Sequence, residues 1–172
     1  MLVRIGARTN TEDVVDLLAG CHARIRQFLT MSQRLATDAA SDDDVRDTAA
    51  QIHRYFTSAF LDHVLDEDEL ITPRLVGRSD KLDAILAAMH RDHAQHAGLI
   101  RRLVSECEII EKDPRLAGAL GAELLDIAKL LEAELVPHLE LEERELFPAI
   151  RGLPQSVRDE IREAMRQRRE QR

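Results

Sequence analysis

The sequence predicts an all-α protein, an up-down-up-down four-helix bundle with a short additional C-terminal helix. Ala, Leu, Glu, Asp and Arg dominate a chain with 3% aromatics, no Trp, seven Gly and five Pro, a helix-forming vocabulary. Apolar residues recur every three or four positions in four long segments separated by short breaks. Alternating β-branched runs closed by an Asn-Gly or Asp-Gly turn do not occur.

The first helix is expected over residues 11–36, where Val14, Leu17, Leu18, Cys21, Ile25, Phe28 and Leu29 share a face. The acidic run after Thr37 breaks it. Ser41 with Asp44 resembles a capping box, so Val45 opens a second helix that should persist to Thr72, before Pro73. A third helix is expected from Ser79 or Asp80 to Lys112, with Leu82, Ile85, Leu86, Met89, Ile100, Leu103 and Ile110 along one side. Asp113-Pro114 closes it. A fourth covers residues 116–147 and ends at Pro148, and a shorter helix starts near Pro154, a residue suited to a first turn. The long helices would each span about 40–45 Å, a matched set for a bundle.

At 172 residues the chain is sized for one compact domain. It divides into an N-terminal extension (1–10), the bundle (11–150) and a helical tail (151–172). The tail carries seven Arg against four acids, and its Leu153, Val157, Ile161 and Met165 suit packing on the bundle end. The formal net charge of −8 disfavours a nucleic-acid partner. No stretch reaches the roughly 18 apolar residues a membrane span needs, and the N-terminus has no signal-peptide pattern, so no membrane partner is expected. Cys21 and Cys107 form no CxxC pair, which fits a reducing cytoplasm.

One pattern repeats at an offset of 75 residues. His63 and Glu67 recur as His138 and Glu142, and a proline follows each histidine by ten positions, at Pro73 and Pro148. On a helix, residues four apart project from the same face, so each pair presents an imidazole and a carboxylate to one place. The His63 stripe runs through Phe56, Phe60 and Leu70 and therefore faces the core. Two carboxylates buried in one core are tolerated when a cation compensates them. His22 on the first helix lies on the stripe of Leu18, Ile25 and Leu29, and His93 on the third lies on that of Leu86, Met89 and Ile100. Four imidazoles and two carboxylates suit iron, manganese or zinc better than calcium or magnesium. Two carboxylates from opposing helices can bridge two metals about 3.5–4 Å apart and leave a coordination position open. His53 and His96 read as core or rim residues, Cys21 as a small core residue, and the acidic run of Asp66, Asp68 and Glu69 as solvated surface.

HLELEERELFPAI, residues 138–150, resembles the HxxxEE…FP signature of the hemerythrin-like, HHE cation-binding family. HVLDEDELITPRL, residues 63–75, is a weaker copy, and the resemblance covers about residues 10–150. It implies a four-helix bundle holding two non-haem irons, with manganese or zinc as substitutes. By that resemblance His22 and His63 hold one iron, His93 and His138 the other, and Glu67 and Glu142 bridge them. The family usually places two histidines four apart on the third helix, whereas Met89 and Ala97 stand four from His93. A fifth imidazole therefore comes from His90, from His96 or from neither, and His90 joins the candidate ligands. The implied function is binding or sensing of a small ligand such as dioxygen, nitric oxide or peroxide. A peroxide-consuming enzyme and a metal-responsive, partner-binding module are the alternatives.

Overall fold

Asp13, Ser41 and Ser79 each accept a backbone N–H at a helix start, and the helices that follow build the molecule. The computed structural model describes residues 12–38 and 41–171, all of them helix or short connection with no strand among them. Residues 1–10, read as an N-terminal extension, and the expected helix start at residue 11 lie outside the described residues. Helix α1 spans Val14–Thr37, α2 Asp42–Thr57, α3 Ala59–Leu65 and α4 Thr72–Leu75. After a turn at Gly77, whose φ of 82° suits glycine, α5 runs over Asp80–Lys112. A 3₁₀ turn at Pro114–Leu116 leads into α6, Ala117–Leu141, then come α7, Phe147–Arg151, and α8, Gln155–Glu170.

Helix α1 packs on α6 and α2, and α5 packs on α2 and α6, which closes a ring. Residue numbers ascend on one partner as they descend on the other. His22 meets Glu143 while Gln33 meets Glu132, and His138 meets Asp92 while Glu123 meets Arg102. A Cβ on Gly121 would stand 3.0 Å from the Ala36 carbonyl oxygen, so glycine is what lets α6 come this close to α1.

Two expected helix ends are corrected. The second and fourth helices do not stop at Pro73 and Pro148 but run on to Leu75 and Arg151, each through a π-helical segment, Asp66–Ile71 and Glu142–Leu146. A proline inside an α-helix lacks a donor and collides with the carbonyl four residues back. The wider turn relieves this. Thr72 N–H bonds to the Glu67 carbonyl and Phe147 N–H to that of Glu142, five residues back in both cases. The second helix is also broken at Ser58, which leaves helical geometry (φ −133°, ψ −83°) as its hydroxyl bonds to the Arg54 carbonyl.

The core has two apolar parts. One gathers Ile25, Leu29, Phe56, Phe60, Ile100, Leu131 and Leu139, the other Leu18, Ile71, Met89, Leu146, Phe147 and Ile150. Each long helix passes from one to the other at a histidine or glutamate: His22 between Leu18 and Ile25, His63 and Glu67 between Phe60 and Ile71, Glu142 between Leu139 and Leu146. A polar layer is thus sealed between two oily ones. Helix α8 adds Ile161 and Met165 to the second part, as its apolar spacing predicts.

Candidate metal centre

His22, His63, His138, Glu67 and Glu142 are buried, each at most 5% exposed, and His93 is half-buried. They fall into two sets. His22, His63, Glu67 and Glu142 form one, and Glu67, His93, His138 and Glu142 the other, with the ligand atoms of each within 4.8 Å of one another. Both carboxylates belong to both sets, the sharing that the ligand pattern implied.

The imidazoles turn their Nε2 atoms inward. His138 Nε2 lies 2.8 Å from Glu142 Oε1 and 3.2 Å from His93 Nε2, and His22 Nε2 lies 3.1 Å from Glu142 Oε2. His93 Nε2 and His63 Nε2 approach Glu67 at 3.3 and 3.5 Å. Despite these distances, both oxygens of Glu67 and of Glu142 and Nε2 of His22 lack a hydrogen-bond partner. Lone pairs that crowd together without hydrogen-bond alignment are arranged around a common centre. Buried carboxylates left in that state are costly, so the donor set fits a cation and is poorly served without one.

Electrostatics say the same. Burial works against a charged His22, yet the Glu142 and Glu67 carboxylates beside it raise its pKa to about 10. His93 is raised to about 9 against the same burial, chiefly by Glu67, and His138 is raised through Glu142. Burial opposes the charge on Glu67, but the His63, His22 and His93 imidazoles outweigh it and hold the carboxyl well below the usual range. His63, by contrast, is pushed down by its burial. Without a cation the cluster gathers protons in its place, and a bound metal would displace them.

Behind the centre stands a second layer of carboxylates. Nδ1 of His22 lies 2.9 Å from Glu143, Nδ1 of His93 3.2 Å from Asp68, and Nδ1 of His138 3.2 Å from Asp92. An Nδ1–H held this way fixes the ring and the tautomer, leaving Nε2 free to bind a metal. The reading of Asp66, Asp68 and Glu69 as solvated surface is therefore corrected for two of the three. Asp68 is half-buried on His93, and Asp66 is fully buried beneath Arg168 and Arg169. Asp68 and Glu143 directly follow Glu67 and Glu142 at the same offset of 75, a signal the repeat already contained. Asp92 has no such counterpart.

The structure does not bring His90 into either set. Its side chain is 75% exposed and meets Asp68 at 3.5 Å. Three residues before His93 it is rotated about 60° around the helix, which carries it to the rim. His96 is buried with its ring edge-on to His138, and burial followed by the neighbouring His138 lowers its pKa to about 4. His53 pairs with Glu111. Cys21 is half-buried, with its sulfur 3.9 Å from Arg169 Nη2.

Three imidazoles also wall a small pocket. His63, His93 and His138 face Ile25, Phe60, Val64, Leu135 and Leu139 around a space too tight for a free water molecule. Outside it, an apolar groove of about 520 Å³ between α2, α3 and α5 shares Phe60, Val64 and His93 with the pocket.

A ring of helices around a buried layer of shared histidines and carboxylates defines a cation-binding helical protein. The family model described as Hemerythrin HHE cation binding domain matches residues 13–150, and the chain belongs to that family. No curated protein and no solved structure matches the chain. Among the described residues, no helix is long and apolar enough to cross a membrane.

Proposed function

We propose that this chain is a non-haem two-iron protein that binds or senses a small ligand such as dioxygen, nitric oxide or peroxide. Its four long rods are read as up-down-up-down over residues 11–150, with residues 151–172 as an appended helix. His22 and His63 would hold one iron and His93 and His138 the other, with Glu67 and Glu142 between them. Manganese or zinc would fit the same donors. The two free thiols, Cys21 and Cys107, support the cytoplasm as its compartment.

The observation that carries the reading is the pair of four-donor sets, one with His22 and His63 and the other with His93 and His138, that share Glu67 and Glu142. Two histidines and two carboxylates per metal are fewer donors than six-coordinate iron takes, so positions remain for an outside ligand. Iron bound there would supply redox chemistry and those open positions. The chain's own residues do the rest. Glu67 and Glu142 offset the charge of both metals, and Asp68, Asp92 and Glu143 hold the rings in register. Ile25, Phe60, Val64, Leu135 and Leu139 pack against His63, His93 and His138 and keep bulk water away from them.

The test is anaerobic loading of the purified, metal-free protein with ferrous iron, followed by metal analysis and an optical spectrum. Two irons per chain are expected, with new near-ultraviolet absorption on exposure to air, nitric oxide or peroxide. Protein that takes up no iron overturns the metal assignment. Protein that takes up iron but shows no spectral response to any of the three overturns the small-ligand reading.

A further inference from the structure

The two halves of the centre share their bridging carboxylates but not their support. His93 and His138 each have a carboxylate on Nδ1, from Asp68 and Asp92 at 3.2 Å. In the other set His22 has Glu143, while Nδ1 of His63 is buried with no hydrogen-bond partner. The asymmetry is written in the chain. Asp92 immediately precedes His93 and reaches the histidine of the next long helix, His138; the residue immediately before His22 is Cys21, whose sulfur lies near Arg169.

The one carboxylate on the His22 side is also shared. Arg26 Nη1 lies 2.8 Å from the same Glu143 oxygen that approaches His22 at 2.9 Å. A guanidinium on that oxygen draws off negative charge that would otherwise make the imidazole a stronger donor. Carboxylates behind metal-bound histidines raise ligand basicity and hold the ring in place, and losing one weakens metal affinity by about 10–100-fold.

We propose, on the two-metal reading, that the positions are unequal: the His93–His138 position fills first and tightly, and the His22–His63 position second. Asp92 is the positioning residue that sets the order, and Arg26 holds the second position weak. Filling is sequential, so a singly loaded protein carries its metal against His93 and His138.

Cobalt(II) is the probe, added to the full-length, metal-free protein and followed by calorimetry and visible absorption. Two steps are expected, separated by about 10-fold or more in affinity. Asp92→Asn weakens the first step by about 10–100-fold, leaves the second in place and brings the two together. Glu143→Gln acts on the second step alone and widens the gap, and Arg26→Gln strengthens the second step. Both acids lie half-buried at the edge of the centre, and matching thermal melts of the metal-free variants verify the fold. Two ions bound in one unresolved phase, or Asp92→Asn acting on the weaker step, overturns the order while leaving two metals intact. Wild-type protein binding fewer than two cobalt ions overturns the two-metal reading itself, and the order with it.

Discussion

Glu143 Oε1 lies 2.9 Å from Nδ1 of His22, joining two residues 121 positions apart in the chain. The same relation links Asp68 to His93, so the π-helical turn of each repeated segment supports a histidine on a different long helix, α1 or α5. Support and candidate donors are thereby crossed between the two parts of the chain, since each set takes a carboxylate from both repeated segments.

The sharing of Glu67 and Glu142 separates two kinds of variant. Removing His22 disables one set of donors, whereas removing Glu142 damages both. After loading, His22→Ala retains one metal per chain and Glu142→Ala retains none, as metal analysis would show. Equal loss in the two variants would contradict the shared arrangement.

Stability should depend on pH in opposite ways on the two sides of neutrality. His22 and His93 are raised to about 10 and about 9, so their contribution is fully present below pH 6.5, the ordinary histidine value, and is lost as pH rises through 9–10. The metal-free protein therefore melts at progressively lower temperature from pH 7 to pH 10. A bound metal replaces those protons, raises the melting temperature and flattens this alkaline slope. His96, lowered to about 4, contributes above pH 6.5 and loses that contribution as pH falls toward 4. Melting curves across pH 4–10, with and without metal, check both slopes.

Helix α8 is tied to the centre's flank. Arg168 and Arg169 reach the fully buried Asp66, the residue before Glu67, at 2.9 and 2.8 Å. Burial pushes the Asp66 carboxyl up, against the pull of both guanidiniums. Replacing both arginines by alanine strands that carboxyl and should cost about 2–4 kcal/mol, between the exposed and buried cases of ion-pair loss. Adding Asp66→Asn to that variant recovers part of the loss. Denaturant unfolding measures both.

His90→Ala should leave metal content unchanged and stability within about 0.5 kcal/mol, because the side chain is largely in solvent. Loss of a metal in this variant would return His90 to the ligand set.

Val64 lies between the outer groove and the inner pocket. Val64→Phe should slow the spectral response of the iron-loaded protein to nitric oxide while leaving two irons in place. An unchanged rate would show that the ligand enters elsewhere.

Sequence by itself determined most of the helices, their core faces and the six inward-facing histidines and glutamates, because helical periodicity and the His-to-Glu spacing of four both act over short stretches of chain. His22, His63, Glu67, His93, His138 and Glu142 could be found from such local spacing. Only the tertiary structure decided what surrounds them. The passage of two helices beyond Pro73 and Pro148 runs through π-helical turns and ends with Leu75 and Ile150 buried against other helices. Asp92 on His138, Arg168 and Arg169 on Asp66, and the exposure of His90 depend on how separate helices are rotated against each other. A hydrogen bond between two helices is fixed by that rotation to within an ångström, and periodicity in one helix carries no information about the angle of its neighbour.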